Sequence, residues 1–267
     1  MSGVHEAEAA LDMRDRILGL DRQVPLLDGT MVSYVNLDNA VTTPPLRDVA
    51  EAVHQYLPYY SGVHRGCGFK SRLSTMVYEQ AHEIIARFVG ADPTSNVVIF
   101  GKNATEAMNK LSYRIPVGED SVVMTTAMEH HSNDLPWRNR ATVVHVGLTP
   151  DGRLDEDDFD RKLAQYAGRI ALVAVTAASN VSGFIQPVHR LARKVHDAGA
   201  LIMVDAAQYA PHRRVDMRPD DDAEHLDFIA LAAHKMYAPF GTGAQSAPRI
   251  SSLRVVQSTL GVGRSTL

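Results

Sequence analysis

A chain of 267 residues that is 45% hydrophobic and 22% charged has globular composition, which excludes a disordered or fibrous protein and leaves one large α/β domain or two ordinary ones. Lys plus Arg number 27 against 31 Asp plus Glu, a formal net charge of −4, so nucleic acid, which selects a basic surplus, is not an expected partner. A single cysteine, Cys67, excludes an internal disulfide and a cysteine-rich zinc site and fits a reducing, cytoplasmic location.

The segment to about Leu20 reads as a peripheral helix with charges on most faces, and Met1–Ala10 lacks the apolar core of a signal peptide. Pro44 and Pro45 precede Leu46–Leu57, where Leu46, Val49, Ala50, Val53 and Leu57 recur at helical spacing. A glycine-punctuated loop, Ser61–Gly68, leads to a second helix, Ser71–Val89, stopped by Gly90. From there strands and helices alternate. Asn96–Phe100, Ser121–Thr125, Thr142–Val146, Arg169–Thr176, Leu201–Val204 and Asp227–Leu231 read as strands. Ala104–Tyr113, Asp155–Tyr166 and Pro187–Ala198 read as helices, with one more expected between the second and third of these strands.

The strands are continuous apolar runs, as expected of strands buried on both faces. Their alternation with helices predicts an α/β fold, a mostly parallel sheet with right-handed crossovers and helices on both sides. No run approaches the ~18–20 apolar residues of a membrane span, so a membrane is not an expected partner. There is no internal repeat and no low-complexity linker, which favours one main domain.

Ligands of such sheets sit beyond the carboxyl ends of the strands, which directs attention to Gly101–Glu106, Ala127–Asn133, Ser179–Gly183, Asp205–Gln208 and Ala232–Lys235. Asp205 and Lys235 each end a buried strand. They are either an ion pair tying two strand ends together or a working pair, since a partly buried lysine has a depressed pKa and a nucleophilic amine. Gly101-Lys-Asn-Ala-Thr-Glu opens a helix whose free N–H groups and Thr105 hydroxyl could grip a phosphate, although Thr105 could equally be a helix cap. His130 could stack on a flat ring. His130 and His131 are adjacent and point apart on extended backbone, which makes a poor chelate, and no metal site is expected. The acidic stretches Asp155–Asp160 and Asp220–Asp222 read as solvated helix starts or turns.

A phosphate cradle, a flat-faced histidine, a strand-end Asp and a strand-end Lys together match pyridoxal 5′-phosphate, PLP. Six stretches in order carry a more specific resemblance: Tyr34–Pro44, Asn103–Asn109, Met128–Asn133, Ser179–Gly183, Val204–Gln208 and His234–Gly243. On these the chain resembles the class V aminotransferases among fold-type I PLP enzymes, in their cysteine desulfurase/selenocysteine lyase branch. The resemblance implies residues 1–33 as an N-terminal helix and arm, 34–244 as the PLP-binding large domain, and 245–267 as a divergent tail. It implies that Lys235 condenses with the cofactor aldehyde and Asp205 partners the pyridine nitrogen. Gln208 would bond the phenolic oxygen, and His130 would stack on the ring and handle protons. Ala104, Thr105 and His234 would hold the phosphate. Asn180 would lie by the phenolic oxygen and the substrate, and Asn39 and Ala40 would border the substrate, a small amino acid.

Three departures accompany the resemblance. The family's Ser two residues before the histidine of its Ser-x-His-Lys motif is Ala232 here. Desulfurases carry a sulfur-accepting cysteine on a loop far downstream of the lysine, whereas Cys67 lies upstream in Gly-Cys-Gly. The chain ends 32 residues after Lys235 (267 − 235), so the family's small C-terminal domain is expected to be largely absent, and the loss of family pattern after Ala244 reads as truncation or a frameshift. Three readings follow: a PLP enzyme of cysteine desulfurase-like type, with aminotransferase or epimerase chemistry as variants; a PLP-binding remnant without turnover; and a nucleotide-binding protein, for which no phosphate-loop or dinucleotide signature is present. A homodimer is left open, because the family's dimer contacts lie partly in the absent portion.

Overall fold

The computed structural model describes residues 13–248. A short hairpin, β1 (Gln23–Pro25) and β2 (Met31–Ser33), comes first. Gly29, with φ of +86°, closes its turn, and Thr30 N–H donates to Asp28 Oδ1 at 2.9 Å. Helices α1 (Arg47–Tyr56) and α2 (Phe69–Phe88) follow. The alternating part comprises β3 (Asn96–Gly101), α3 (Ala104–Ser112), β4 (Val122–Thr126), α4 (Leu135–Arg138), β5 (Thr142–Val146), α5 (Glu156–Gln165), β6 (Ile170–Thr176), α6 (Val188–Asp197), β7 (Leu201–Asp205), β8 (Phe228–Ala232) and β9 (Gly243–Pro248).

Strands β3 to β9 form one seven-stranded sheet in the order β3-β9-β8-β7-β6-β4-β5. The pairs β4–β5, β4–β6, β6–β7 and β7–β8 are parallel. The last strand runs antiparallel between β8 and β3. The six apolar strands thus lie where expected, while β9 is an addition that the sequence did not announce. Gly-Ala-Gln-Ser-Ala-Pro carries neither an apolar run nor a clear alternation, and it crosses the Ala244 boundary drawn from the sequence.

Burial on both faces is visible residue by residue. Val122, Met124, Val173, Val175, Ile202, Val204, Ile229 and Leu231 face one core, packed with Phe159 and Leu163 of α5 and Leu191 and Val195 of α6. The intervening Val123, Leu172, Ala174, Met203, Phe228 and Ala230 face a second core with Ala107, Met108 and Leu111 of α3 and Trp137 of α4. The period of two along each strand sorts its side chains between the helix layers. Of the expected N-terminal helix, residues 13–16 are helical; its earlier part and the tail Ser251–Leu267 lie outside the described residues. No helix among the described residues is long and apolar enough to cross a membrane.

Candidate functional site

A cavity of about 290 Å³ opens at the carboxyl ends of the parallel strands. The N-terminus of α3 contributes Ala104 and Thr105, the segment after β4 contributes His130 and Ser132, and the loop after β6 contributes Asn180. Asp205 and Gln208 come from the end of β7, and Ala232, His234 and Lys235 from the end of β8, with Ala40 arriving from the N-terminal segment. All but one of the residues singled out in the sequence therefore line one cavity. Asn39 faces the neighbouring hollow with Arg14, Tyr34 and Asn36, because its Oδ1 accepts from Asn36 Nδ2 at 2.8 Å and the chain turns Ala40 inward instead.

Asp205 is 5% exposed and is held by Ala207 N–H, which donates to Oδ1 at 2.9 Å. Burial pushes its carboxyl above the ordinary range, against the Ala207 bond and the charges of Lys235 and His130. Lys235 is half-buried. Burial lowers its amine below the ordinary lysine value, and the Asp205 charge opposes this. The two groups act on each other through charge, and Asp205's hydrogen bond is to backbone, so the reading of a plain ion pair between strand ends is not what the geometry shows.

Asn103, not Thr105, caps α3: its side chain accepts from Glu106 N–H at 2.8 Å. That leaves the Thr105 hydroxyl free to bond Ser132 Oγ at 2.7 Å, and Ser132 Oγ lies 2.8 Å from His130 Nδ1. A hydroxyl relay thus connects the helix N-terminus to the histidine ring. The N-terminal N–H groups of a helix are unpaired within it and carry partial positive charge, so Ala104 and Thr105 present an anion cradle. Gly243 makes this possible sterically. A Cβ there would stand 2.4 Å from the Asn103 carbonyl carbon and 2.8 Å from Ala104 N.

The lysine loop is laced to the N-terminal segment. Thr42 and Thr43 hydroxyls donate to the His234 carbonyl at 3.0 and 3.2 Å, and Gln208 Nε2 donates to the Ala40 carbonyl at 2.8 Å. His234 Nδ1 is buried without a hydrogen-bond partner among the described residues. Burial and the adjacent Lys235 charge lower the proton affinity of its ring.

Ser132, Thr176 and Glu129 belong to the site's surroundings but were not singled out in the sequence. Ser132 and Thr176 line the cavity. Glu129 sits behind it, accepting from Thr126 Oγ1, Asn133 Nδ2 and Thr176 N–H at 2.7, 2.7 and 2.9 Å. Burial pushes its carboxyl up to about 8, helped by the Asp205 charge. The available signal was an acid immediately before His130 in a strand-end segment.

Among protein families, the model described as aminotransferase class-V matches residues 35–260. A probable cysteine desulfurase of Streptomyces coelicolor is 37% identical over 237 residues, covering 84% of this chain and 54% of that protein. A cysteine desulfurase of Haloferax volcanii is 38% identical over 227 residues, 81% of this chain and 51% of that one. The apo structure of a cysteine desulfurase from Thermococcus onnurineus superposes with a TM-score of 0.75 at 30% identity, over 90% of this chain and 57% of that chain. The chain spans about half the length of the curated relatives it matches.

Proposed function

The chain belongs to the aminotransferase class-V family, and from that premise we propose that its cavity binds pyridoxal 5′-phosphate and serves cysteine desulfurase-like chemistry on a small amino acid. The observation that carries this reading is the convergence of Asp205, Lys235 and the α3 N-terminus on one cavity. The residues fit the group. A primary amine meets an aldehyde, a buried carboxylate suits a pyridinium nitrogen, and the helix N–H groups suit a phosphate. His234 lines the same cavity, and its buried Nδ1 has no hydrogen-bond partner among the described residues. Ala232 offers no hydroxyl, so one neutral hydrogen bond of about 0.5–1.5 kcal/mol is forgone there.

When bound, the cofactor supplies an electron sink for charge developing at the substrate Cα. Asp205, fixed by Ala207 N–H, would hold the proton on the pyridine nitrogen. Lys235, its amine freed by burial, would be the nucleophile toward the aldehyde and would return a proton to Cα. His130, anchored through Nδ1 by Ser132, would stack on the ring face. Thr105 and Ala104 would hold the phosphate, Gln208 would bond the phenolic oxygen, and Asn180 would lie by that oxygen and the substrate.

Cys67, the one cysteine, is exposed and does not line the cavity. That favours a second reading, cofactor binding without sulfur transfer to a thiol of this chain. Adding PLP to the purified protein should produce a visible absorbance band that borohydride abolishes and that Lys235→Ala lacks. Absence of the band in folded protein sinks the proposal. Sulfide release from cysteine above that of free PLP then separates turnover from binding alone.

A further inference from the structure

At the end of the sheet opposite the cavity, where the central strands β7 and β8 begin, three side chains converge that this chemistry does not use. His196 lies in the last turn of α6, Asp227 immediately precedes β8, and His225 sits two residues before Asp227. Backbone orients both rings. His196 Nδ1 lies 3.0 Å from the Ala223 carbonyl oxygen, and His225 Nδ1 lies 2.7 Å from that of Asp222. A carbonyl oxygen only accepts, so each Nδ1 carries the hydrogen. In the neutral rings each Nε2 then faces the Asp227 carboxylate with its lone pair, His196 at 3.0 Å from Oδ2 and His225 at 3.5 Å from Oδ1.

Lone pairs directed at a carboxylate call for a positive species between them. A proton on His196 Nε2 answers one contact only, and protons on both rings serve poorly, because the imidazoles stack with centroids 4.2 Å apart and planes 18° apart. Two imidazolium ions would then lie face to face, where like charges repel most strongly. One divalent ion satisfies both nitrogens and the carboxylate at once.

We propose that His196, His225 and Asp227 form a binding site for a divalent metal ion of the zinc class, with water as the remaining ligand. Two imidazole nitrogens and one carboxylate are a donor set that zinc accepts, with a fourth position open. The three ligand atoms lie within 4.8 Å of one another. The separations run to different oxygens of the carboxylate, 3.0 Å from His196 Nε2 to Oδ2 and 3.5 Å from His225 Nε2 to Oδ1, and each is close to the edge of about 3.4 Å expected for a tetrahedron with metal–ligand bonds of roughly 2.0–2.1 Å. The two Nδ1–carbonyl bonds are the outer contacts that metal-bound histidines carry, and Ile202 N–H, 2.8 Å from Asp227 Oδ2, orients the carboxylate in the same manner. Side-chain exposures of 17% for His196, 19% for His225 and 7% for Asp227 describe a half-enclosed site that water can reach. An ion here clamps the end of α6 to the starts of β7 and β8, a structural role remote from Lys235.

The test uses the full chain carrying Cys67→Ser, which removes the one exposed thiol, stripped by chelator and titrated calorimetrically with zinc chloride at neutral pH. One zinc per chain is expected, with affinity reduced about tenfold or more in His196→Ala and in His225→Ala. Zinc should raise the thermal midpoint of the parent but not of these variants, and Lys235→Ala should leave zinc binding unchanged. Should an alanine variant fail to fold, cobalt(II) in the parent provides a second readout: an intense visible band of four-coordinate geometry, displaced by zinc. The proposal is overturned if folded parent binds no zinc, if both histidine variants bind it as tightly as the parent, or if cobalt shows only the weak spectrum of an octahedral aquo ion. None of these outcomes depends on the cofactor proposal.

Discussion

Glu129→Gln should make the protein progressively more stable than its parent as the pH is raised from about 5 to 8. The carboxyl of Glu129, ordinarily at 4.5, is pushed up to about 8 by burial, and the nearby Asp205 charge works in the same direction. The folded chain therefore keeps a proton that the unfolded chain releases. Stability from this group is complete below about 4.5 and is lost as pH rises toward 8. At ~1.4 kcal/mol per pH unit the whole interval corresponds to about 5 kcal/mol. Glutamine mimics the protonated acid. Its carbonyl keeps the Thr126 hydroxyl and the Thr176 N–H, and its amide can donate to Asn133 once that side chain turns over. Asn133 Oδ1 is buried and, among the described residues, lacks a partner as it stands, so the turn places an acceptor where one is needed. Urea unfolding of both proteins across this pH range measures the difference while other titrations cancel. A difference that stays flat with pH refutes the reasoning, because the parent's carboxyl would then ionise alike in the folded and unfolded states.

Three further expectations follow from the site. Gly243→Ala forces a Cβ against Asn103 and Ala104 backbone, so it should destabilise by about 1–3 kcal/mol and weaken PLP binding; an unchanged urea midpoint and unchanged PLP titration would contradict the close approach. Asn103→Ala removes the side-chain bond to Glu106 N–H and should cost about 1 kcal/mol, read from the same unfolding transition. The Lys235 amine, held low by burial against the Asp205 charge, should react with an acylating reagent at lower pH than a surface lysine such as Lys110. Asp205→Asn should move that reactivity lower still, and peptide mass mapping after labelling distinguishes the two residues; equal profiles for Lys235 and Lys110 would dismiss the perturbation.

The parallel strands were legible because burial on both faces leaves their sequences no room for polar alternation. Leu172 to Val175 and Ile202 to Val204 supply both cores at once. The site was legible for a related reason. Asp205 and Lys235 stand out as charges that end such runs. The strand Gly243–Pro248 was not legible, since its contribution is backbone pairing on two sides and its small side chains advertise nothing. The three-residue strands of the hairpin were too short to show a period, although Asp28-Gly29 marks their turn. Ser132 and Glu129 escaped notice because their importance lies in partners distant in sequence, Thr105 for one and Thr176 for the other. The His196–His225–Asp227 cluster likewise exists only once α6 and the approach to β8 are side by side.

The placement of β9 also has a consequence for the order of assembly. Among the described residues β3 pairs within the sheet with β9 alone, so the strand that leads to the anion cradle has no strand to pair with until residues 243–248 are available. During synthesis β4 to β8 can pair as they emerge, whereas Asn96–Gly101 must wait for a segment more than a hundred positions downstream. Such a late, non-local closure is slow and leaves an edge of β8 open to mispairing in the interval. It also means that β3, which leads to the cradle, and β8, which leads to the lysine, meet in the sheet through β9, whose docking completes the sheet beneath both.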